Sequence, residues 1–274
     1  MLIIDRSSAR SSDTPTAPPA WGHLEVTGAD RVRFLHGLTT IHVEGLAEGG
    51  HGWGAILSPK GRVLSVVSAT REAERVLLHC EPALIEPTLA LLERYAVMDD
   101  VTARAIEVAA FQRWTDAPSA WSAPMEFGAA PAPVASAAEA EVARIEAGHL
   151  RYGVDVDADC FPFETPLAAL LDYGKGCYVG QEPVFRVHAQ GQSQRMLRGL
   201  RFEDGGDATV DVGAVVVHPG KAKAGTVTSA TVSPRLGPIA LAMLHRTAWT
   251  AGDRVEVGGR GATVVELPFA DVRW

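Results

Sequence analysis

The stretch KGCYVGQEPVFR, from Lys175 to Arg186, concentrates unusual chemistry in one short segment. It holds a lysine, a single cysteine, two glycines and a Gln-Glu pair. Gly176 and Gly180 allow backbone conformations that other residues rarely adopt, or the close approach of a ligand. A loop that only connects two elements has no need of a thiol, so Cys177 is the residue that requires an explanation.

The residues after the cysteine predict the start of a helix. Residues 181–183 (Gln-Glu-Pro) suit a helix N-terminus, since proline is tolerated in the first turn, and Glu182 and Arg186 can pair across one turn. Cys177 then lies just ahead of a helix N-terminus and two residues from Lys175, and both features generally favour a reactive thiolate. The alternative is a buried, inert cysteine in a loop held by Lys175 and the Glu182–Arg186 pair. The residues alone leave both interpretations open.

Composition excludes several classes of protein. Of the 274 residues, 47% are hydrophobic and 21% are charged, as in ordinary globular proteins, and the net charge is −8. That charge argues against a sequence-independent nucleic-acid binder, which needs a basic surface. Cys80, Cys160 and Cys177 are widely spaced, which indicates a reducing compartment, and no apolar run approaches the roughly 18 to 20 residues of a membrane span. We therefore expect a cytoplasmic protein without direct nucleic-acid or membrane binding.

The order of predicted elements indicates the fold class. Residues 1–20 predict a disordered tail, GWGAILSPKGRVLSVVSAT predicts a β-hairpin, and LIEPTLALLERYAV predicts a helix by its apolar spacing. Residues 117–140, rich in Ala, Pro and Ser, predict a linker with at most one short element. From about Met196 onward, short strands with Gly-rich turns predict an all-β module. Together these elements predict an α+β protein with a C-terminal barrel.

No pattern predicts a metal site. The segment DVDADC has the acidic spacing of a calcium loop, but Cys160 and Pro166 stand where that loop needs Gly and a bidentate Glu. The nine histidines form no H-E-x-x-H motif and no Cys/His cluster. A nucleophilic pair of Cys177 and His188 is a further option, which sequence separation alone does not support.

The motif K-G-C-[FY]-x-G-Q-E, with an arginine four residues later, resembles the signature of the YgfZ-type folate-binding proteins, distant relatives of the glycine-cleavage T-protein. VTGADRVRFLHGLTT (Val26–Thr40) is similar to the opening helix of that family, and ILSPKGRVLS (Ile56–Ser65) is similar to its hairpin. RIEAGHLRYGVDVDADCFPFE (Arg144–Glu164) resembles a segment shared with T-proteins, and GTVTS with LGPIALAMLHR resembles the C-terminal barrel. A motif of this length has a low chance of arising by accident.

The resemblance implies a T-protein-like ring of three modules, two of them ferredoxin-like, around a folate pocket. The first module is split between residues 21–48 and 136–195, the second is inserted at residues 49–135, and the barrel follows at residues 196–274. The resemblance also implies tetrahydrofolate or a one-carbon derivative as the cofactor, without a stably bound metal. The implied role is iron–sulfur cluster assembly or repair, in support of tRNA-modifying enzymes, with iron–sulfur client or assembly proteins as partners.

The same resemblance implies roles for individual residues. Cys177 is the implied functional thiol, and the supporting motif residues are Lys175, Gly176, Tyr178, Gly180, Gln181, Glu182 and Arg186. A pterin ring needs an aromatic platform and a carboxylate, and the glutamyl tail needs a cation. Trp21 matches a tryptophan that lines the family's pocket, and Glu164 is the candidate carboxylate, where T-proteins also carry a glutamate. Arg151 or Arg186 is the candidate for the tail. Each also has a purely structural interpretation.

Departures from the family keep two rival functions open. Ala140, near the VARIEAG run, and Ala189, three residues past Arg186, replace residues that are often aromatic or basic in relatives. These losses favour a partner-binding scaffold that has lost folate. The strand LLHCEP lacks the T-protein's catalytic aspartate, the nearest carboxylate, Glu86, lies on an unmatched background, and the G-Y-T-G-E segment is absent. These three departures weigh against the other rival function, a tetrahydrofolate-dependent aminomethyltransferase or one-carbon transferase.

Overall fold

The computed structural model describes residues 1–8, 21–190, 193–203, 208–269 and 272–273. The strands in this part are β1 (Leu2–Asp5), β2 (Gly22–Thr27), β3 (His51–Leu57), β4 (Val63–Arg71), β5 (Val76–Cys80), β6 (Thr102–Ile106), β7 (Ala110–Trp114), β8 (Glu126–Phe127), β9 (Arg195–Phe202), β10 (Val215–His218), β11 (Lys221–Ser233), β12 (Gly237–His245), β13 (Arg254–Val257) and β14 (Arg260–Val265). The helices are α1 (Arg31–Leu38), α2 (Ile85–Tyr95), α3 (Ala137–Glu146) and α4 (Gln181–Gln190).

A five-stranded antiparallel sheet in the order β3-β4-β5-β2-β6 forms the centre of the N-terminal half. The predicted hairpin is confirmed as β3 and β4, and the predicted helix is confirmed as α2. Leu24 and Leu78 of the sheet, Leu35 of α1 and Leu92 of α2 are fully buried in one hydrophobic cluster. Both helices therefore cover the same side of the sheet, because burial of an apolar face away from water lowers the free energy of the folded chain.

A second, three-stranded sheet has the order β1-β7-β8. The predicted disordered tail is thus ordered over β1, which pairs antiparallel with β7 from Leu2 opposite Trp114 to Asp5 opposite Phe111. The sequence MLIID explains the difference, since β-branched and apolar residues favour strands and Ile4 is buried. Residues 9–20 of the predicted tail lie outside the described residues.

The C-terminal part is a closed antiparallel barrel with the strand order β10-β11-β12-β9-β14-β13. Leu200, Val216, Ala242 and Val264 are among the side chains that fill its interior. Alternation of these inward residues with polar outward ones is what a closed barrel requires. The predicted barrel is confirmed, and the fold is the mixed α and β arrangement expected from the sequence.

The sheets divide the chain differently from the predicted modules. Strand β2 pairs with both β5 and β6, so the boundary predicted at residues 48/49 would cut through one sheet. The pairing of these strands joins residues on both sides of the predicted boundary, because each buried backbone amide needs a hydrogen-bond partner. In the described residues, no helix is long and apolar enough to span a membrane.

Candidate functional site

The motif loop is fixed by close backbone packing at the start of α4. The helix begins at Gln181, as predicted, and the Gln181 Oε1 atom accepts a hydrogen bond from the Tyr178 amide at 3.4 Å. Gly180 has a φ of +79°, and a Cβ at this position would overlap the carbonyl oxygen of Ser58 in the turn between β3 and β4. The predicted close approach at this glycine is therefore made by the protein's own hairpin.

Lys175 anchors the loop to the end of α1. Its buried ammonium donates to the carbonyl oxygens of His36, Thr39 and Ile41 at 2.5, 2.6 and 2.7 Å. In return, His36 Nε2–H donates to the Lys175 carbonyl at 2.6 Å. Burial lowers the pKa of Lys175 to about 8, and the three carbonyls use all three protons of the ammonium. The geometry assigns Lys175 a positioning task.

Cys177 is exposed, whereas the other two thiols are buried. Burial raises the pKa of Cys80 to about 12 and that of Cys160 to about 11, which makes both unreactive near neutral pH. The exposed position differs from the buried alternative that the sequence left open. Cys177 is therefore the accessible thiol among the three cysteines.

The other motif residues divide into buried and exposed groups. Tyr178 is buried, its hydroxyl has no hydrogen-bond partner in the described residues, and burial raises its pKa to about 12. Glu182 and Arg186 are both exposed on α4, and the described residues form no ion pair between them. The predicted pair thus contributes nothing to the loop, which depends on Lys175 instead.

Trp21 lies at a narrow central cavity between the sheets and the barrel side of α3. The cavity has a volume of about 10 Å³, which is room for about one water molecule. Two of its lining residues were predicted as ligand contacts, Trp21 and Arg151, and Ala140 lines it as well. The full lining comprises Ile4, Arg6, Trp21, Glu81, Ala140, Arg144, His149, Leu150 and Arg151.

Two of the residues that line this cavity, Trp21 and His149, belong to a cluster of aromatic rings. Trp21 and Trp53 meet edge to face with ring centroids 5.1 Å apart, and Trp121 stacks on His149 at 4.3 Å. Trp53 Nε1 and His149 Nε2 are buried without hydrogen-bond partners in the described residues. Unpaired buried polar atoms are costly, so their presence beside flat aromatic faces suits a polar heteroaromatic ligand.

Sequence reasoning missed Glu81, the carboxylate that lines the cavity. Burial raises its pKa, and the positive charges of Arg151, Arg6 and Arg144 oppose that rise. Glu81 directly follows the buried strand β5, and this position at a strand end was the available signal. Glu86, the carboxylate considered from the sequence, is exposed on α2 and does not line the cavity.

Glu164 lies away from this cavity, in a surface groove beside α4. Its Oε2 atom accepts from the Phe161 amide at 2.9 Å and from Arg195 Nε at 3.2 Å. Arg186 is exposed and does not line the cavity, and the side chain of Ala189 lies outside the described part. The structure therefore groups Trp21 with Arg151 and separates both from Glu164 and Arg186.

Arg6, the residue after β1, reaches into the same cavity. Its guanidinium carbon lies 4.8 Å from the ring centroid of Trp21 and 5.3 Å from that of Trp114. Its Nε donates to Gln112 Oε1 at 3.1 Å, and its amide donates to the Ala110 carbonyl at 2.7 Å. The segment after β1 thus closes one side of the cavity.

A chain of hydrogen bonds runs from Arg6 across the five-stranded sheet. The Arg6 carbonyl can only accept, so His23 Nε2 carries the proton that it donates over 2.8 Å. His23 Nδ1 then accepts from His79 Nδ1–H at 2.8 Å, and His79 Nε2 accepts from the Thr70 hydroxyl at 3.3 Å. Thr70 Oγ1 in turn accepts from His51 Nδ1–H at 3.1 Å. The chain ends at His51 Nε2, which is buried without a partner in the described residues.

This arrangement requires neutral histidines. Burial lowers the pKa of His23, takes that of His51 to about 4 and takes that of His79 well below its ordinary value. The rings bond to one another and do not converge on a point. In the described part of the chain, no group of three or more His, Cys, Asp and Glu residues could hold a metal ion.

Comparison with known proteins agrees with this fold. Residues 195–271 match the family model of the glycine cleavage T-protein C-terminal barrel domain. The chain is 32% identical over 165 residues to an aminomethyltransferase of Pseudothermotoga lettingae, which covers 57% of this chain and 43% of that protein. It is 37% identical over 81 residues to the tRNA-modifying protein YgfZ of Hamiltonella defensa, which covers 30% of this chain and 24% of that protein. The chain thus spans less than half the length of these curated relatives.

A solved structure extends the comparison to the whole fold. The glycine cleavage system aminomethyltransferase T from Bartonella henselae superposes with a TM-score of 0.82 and 18% sequence identity. The superposition covers 99% of this chain and 87% of that chain. The protein therefore has a T-protein-like fold with a C-terminal barrel, and the comparisons support the glycine-cleavage T-protein-like superfamily.

The anchoring task of Lys175 can be tested by removing its charge. Lys175→Met removes three charge-assisted hydrogen bonds and leaves buried carbonyls unpaired, so we expect the free energy of unfolding to fall by about 2–4 kcal/mol. Lys60→Met, at an exposed lysine, is the matched control and should change it by less than about 0.5 kcal/mol. Urea denaturation at pH 7 measures both. Equal stability of the two variants would contradict the anchor and leave Lys175 available to act on the thiol.

The neutral histidine chain predicts a loss of stability in acid. The unfolded chain binds protons near the ordinary histidine pKa of 6.5, whereas folded His51 resists protonation down to about pH 4. The free energy of unfolding is therefore highest above about pH 7 and falls with decreasing pH. Protonation of His51 in the unfolded chain accounts for a loss of about 2 kcal/mol at pH 5. His51→Gln keeps a donor for Thr70 and should reduce the loss between pH 7.5 and pH 5 by about that amount. Urea titrations at both pH values measure it, and an unchanged loss in the variant would contradict the assignment.

Proposed function

We propose that the protein binds a tetrahydrofolate-class ligand in the central cavity and takes part in iron–sulfur cluster assembly or repair. Cys177 is the functional thiol in this proposal, and the iron–sulfur enzymes it supports include those that modify tRNA. The proposed partners are iron–sulfur client or assembly proteins, which would contact Cys177 at the surface. The proposal rests on the resemblance of KGCYVGQEPVFR to the YgfZ-type motif, together with the geometry below.

The exposure of Cys177 is the observation that carries the proposal. A loop with a buried lysine anchor and one tightly packed glycine, Gly180, presents its one thiol outward, to solvent. A thiol needed only for packing would be buried, as Cys80 and Cys160 are. An exposed thiol on a rigid support is suited to a partner protein or a transferred cluster.

The chemistry of the cavity supports a pterin as the ligand. Trp21 and the rings around His149 supply flat faces, and Trp53 Nε1 and His149 Nε2 are polar atoms without partners in the described residues. Glu81 supplies a carboxylate for the amino-pyrimidine edge, in place of the predicted Glu164. Arg151 lines the cavity as the candidate cation for the glutamyl tail, and its guanidinium also bonds to Glu141.

An aminomethyltransferase, or another tetrahydrofolate-dependent one-carbon transferase, is the second candidate function. Several of the curated relatives are aminomethyltransferases, and Glu81 is a cavity carboxylate with a raised pKa of the kind that general acid–base catalysis uses. Formation of methylene-tetrahydrofolate, ammonia and the dihydrolipoyl carrier from tetrahydrofolate and an aminomethyl-lipoyl carrier, abolished by Glu81→Gln, would favour this function.

A scaffold that has lost folate is the third candidate. It is favoured by the volume of about 10 Å³, which is too small for a pterin while Arg6 lies against Trp21, and by Ala140 in the cavity wall. The proposal therefore requires the cavity to open, and a binding measurement separates the two functions.

Titration of intrinsic tryptophan fluorescence with 5-formyltetrahydrofolate tests the ligand. We expect saturable quenching in the wild type, because the ligand stacks on Trp21, and loss of most of that quenching in Trp21→Phe. Trp249→Phe, in the barrel, is the control and should quench as the wild type does. Absence of quenching up to millimolar ligand would contradict folate binding and favour the scaffold.

Substitution of the motif thiol tests its function. Because Cys177 is exposed, Cys177→Ala should change the free energy of unfolding by less than about 0.5 kcal/mol while abolishing activity in an iron–sulfur rescue assay. Cys160→Ala, at a buried thiol, should lower stability and retain function per folded molecule. A fully active Cys177→Ala variant would rule out the functional thiol.

A further inference from the structure

The N-terminal segment fills the place in the cavity where a flat ligand would stack. Ile4 and Arg6 point to the same side of the chain and both line the cavity. Arg6 is only 4% exposed, and its guanidinium lies against the indole rings of Trp21 and Trp114. The space that remains beside these side chains has a volume of about 10 Å³.

The guanidinium of Arg6 has the planar shape of the amino-pyrimidinone edge of a pterin and shares its N–H donors. A guanidinium is a planar N–C(N)–N unit, and the 2-amino-pyrimidinone edge of a pterin contains the same unit. Gln112, which is fully buried, donates from Nε2 to the Ala123 carbonyl at 2.9 Å. That bond turns Gln112 Oε1 toward Arg6 Nε, and an acceptor fixed in this way serves a pterin N–H equally well.

The charge of Arg6 opposes its own burial. Burial lowers its pKa to about 9, and in the described residues no carboxylate lies within ion-pairing distance of its guanidinium. Glu81 and Asp5 provide only a longer-range attraction. Burial of a charge without a carboxylate partner is unfavourable, so exchange of Arg6 for a neutral ring removes that cost.

The segment of β1 and Arg6 lies at the edge of the three-stranded sheet. It is the edge strand of its sheet and pairs only with β7, apart from the bond that the Ala135 amide donates to the Ile3 carbonyl at 2.9 Å. Ser7 and Ser8 continue the attachment, since the Ser8 amide donates to the Val108 carbonyl at 2.9 Å and the Ser7 hydroxyl bonds to the backbone of Ala110. Bonds from His23 to the Arg6 carbonyl and from the Ser8 hydroxyl to the Ile106 carbonyl link the segment to the larger sheet. Release of this segment therefore removes the edge strand of the three-stranded sheet and exposes Ile3 and Ile4, while strand pairing within the five-stranded sheet and the barrel does not involve it.

We infer that β1 and Arg6 form an intramolecular plug that competes with the ligand for the pterin position on Trp21. The ligand then binds only to molecules in which Arg6 has left Trp21 and Gln112. In those molecules Trp21 stacks on the pterin, and Gln112 accepts a hydrogen bond from it. This inference rests on the proposed function, since it concerns regulation of the same site. The apparent dissociation constant equals the intrinsic one divided by the open fraction, so a cavity that is open in a tenth of the molecules binds about tenfold more weakly.

Isothermal titration with 5-formyltetrahydrofolate at pH 7.5 tests the plug. Arg6→Ala removes the competitor and should bind at least about tenfold more tightly than the wild type. Arg113→Ala is the matched control, because Arg113 lies on the same sheet and pairs with Glu126 outside the cavity, and it should bind as the wild type does. Equal or weaker binding by Arg6→Ala overturns the plug alone. Binding by neither protein overturns the proposed function and the plug together.

Hydrogen exchange on the wild-type chain provides a test that does not depend on the folding of a variant. The Arg6 amide is protected by its bond to the Ala110 carbonyl. Saturating 5-formyltetrahydrofolate should accelerate exchange of this amide while amides in β12 keep their protection. Unchanged or increased protection at Arg6 under conditions in which the tryptophan fluorescence is fully quenched would overturn the inference.

Discussion

The buried ammonium of Lys175 is the interaction on which the candidate site depends. It joins the motif loop to carbonyls more than 130 residues earlier in the chain, at the C-terminal end of α1. The end of a helix leaves carbonyls without intrahelical partners and carries a partial negative charge, so a three-proton cation matches it in number and in sign. With the loop fixed there, Gly180 packs on the hairpin turn, α4 starts at Gln181, and the side chain of Cys177 remains outside.

The thiol and the aromatic cavity are separate features of the molecule. Cys177 does not line the cavity, whose lining comes from the start of the chain, from Trp21 before β2, from Glu81 after β5 and from α3 with the segment that follows it. This separation favours a thiol that reacts with a partner protein at the surface, while the cavity binds the ligand elsewhere in the molecule. It argues against a reaction between the folate and Cys177 in one shared site.

The sequence predicted the elements whose signals are local. Hairpin alternation, the apolar spacing of α2, the Gln-Glu-Pro helix start and the Gly-rich barrel strands all depend on neighbouring residues, and each matches the structure. The N-terminal strand was missed because its run of strand-favouring residues, MLIID, is short and its partner β7 lies more than 100 residues away in the chain. The capping box of Ser136 and Glu139, a local signal at the start of α3, was overlooked within an Ala- and Pro-rich stretch. Glu81 was missed because its importance comes from the arginines that other elements bring beside it.

Those arginines connect closure of the cavity to its chemistry. Glu81 is pulled in opposite directions, since burial raises its pKa while Arg151, Arg6 and Arg144 lower it. Arg144 and Arg151 are already held by Glu141, and Arg144 also by Asp155, so Arg6 is the mobile part of this balance. When a neutral ring replaces Arg6, one positive charge leaves and the pKa of Glu81 rises further. The residue that fills the cavity therefore also lowers the pKa of the carboxyl group in its wall, and one displacement changes both the space in the cavity and the pKa of Glu81.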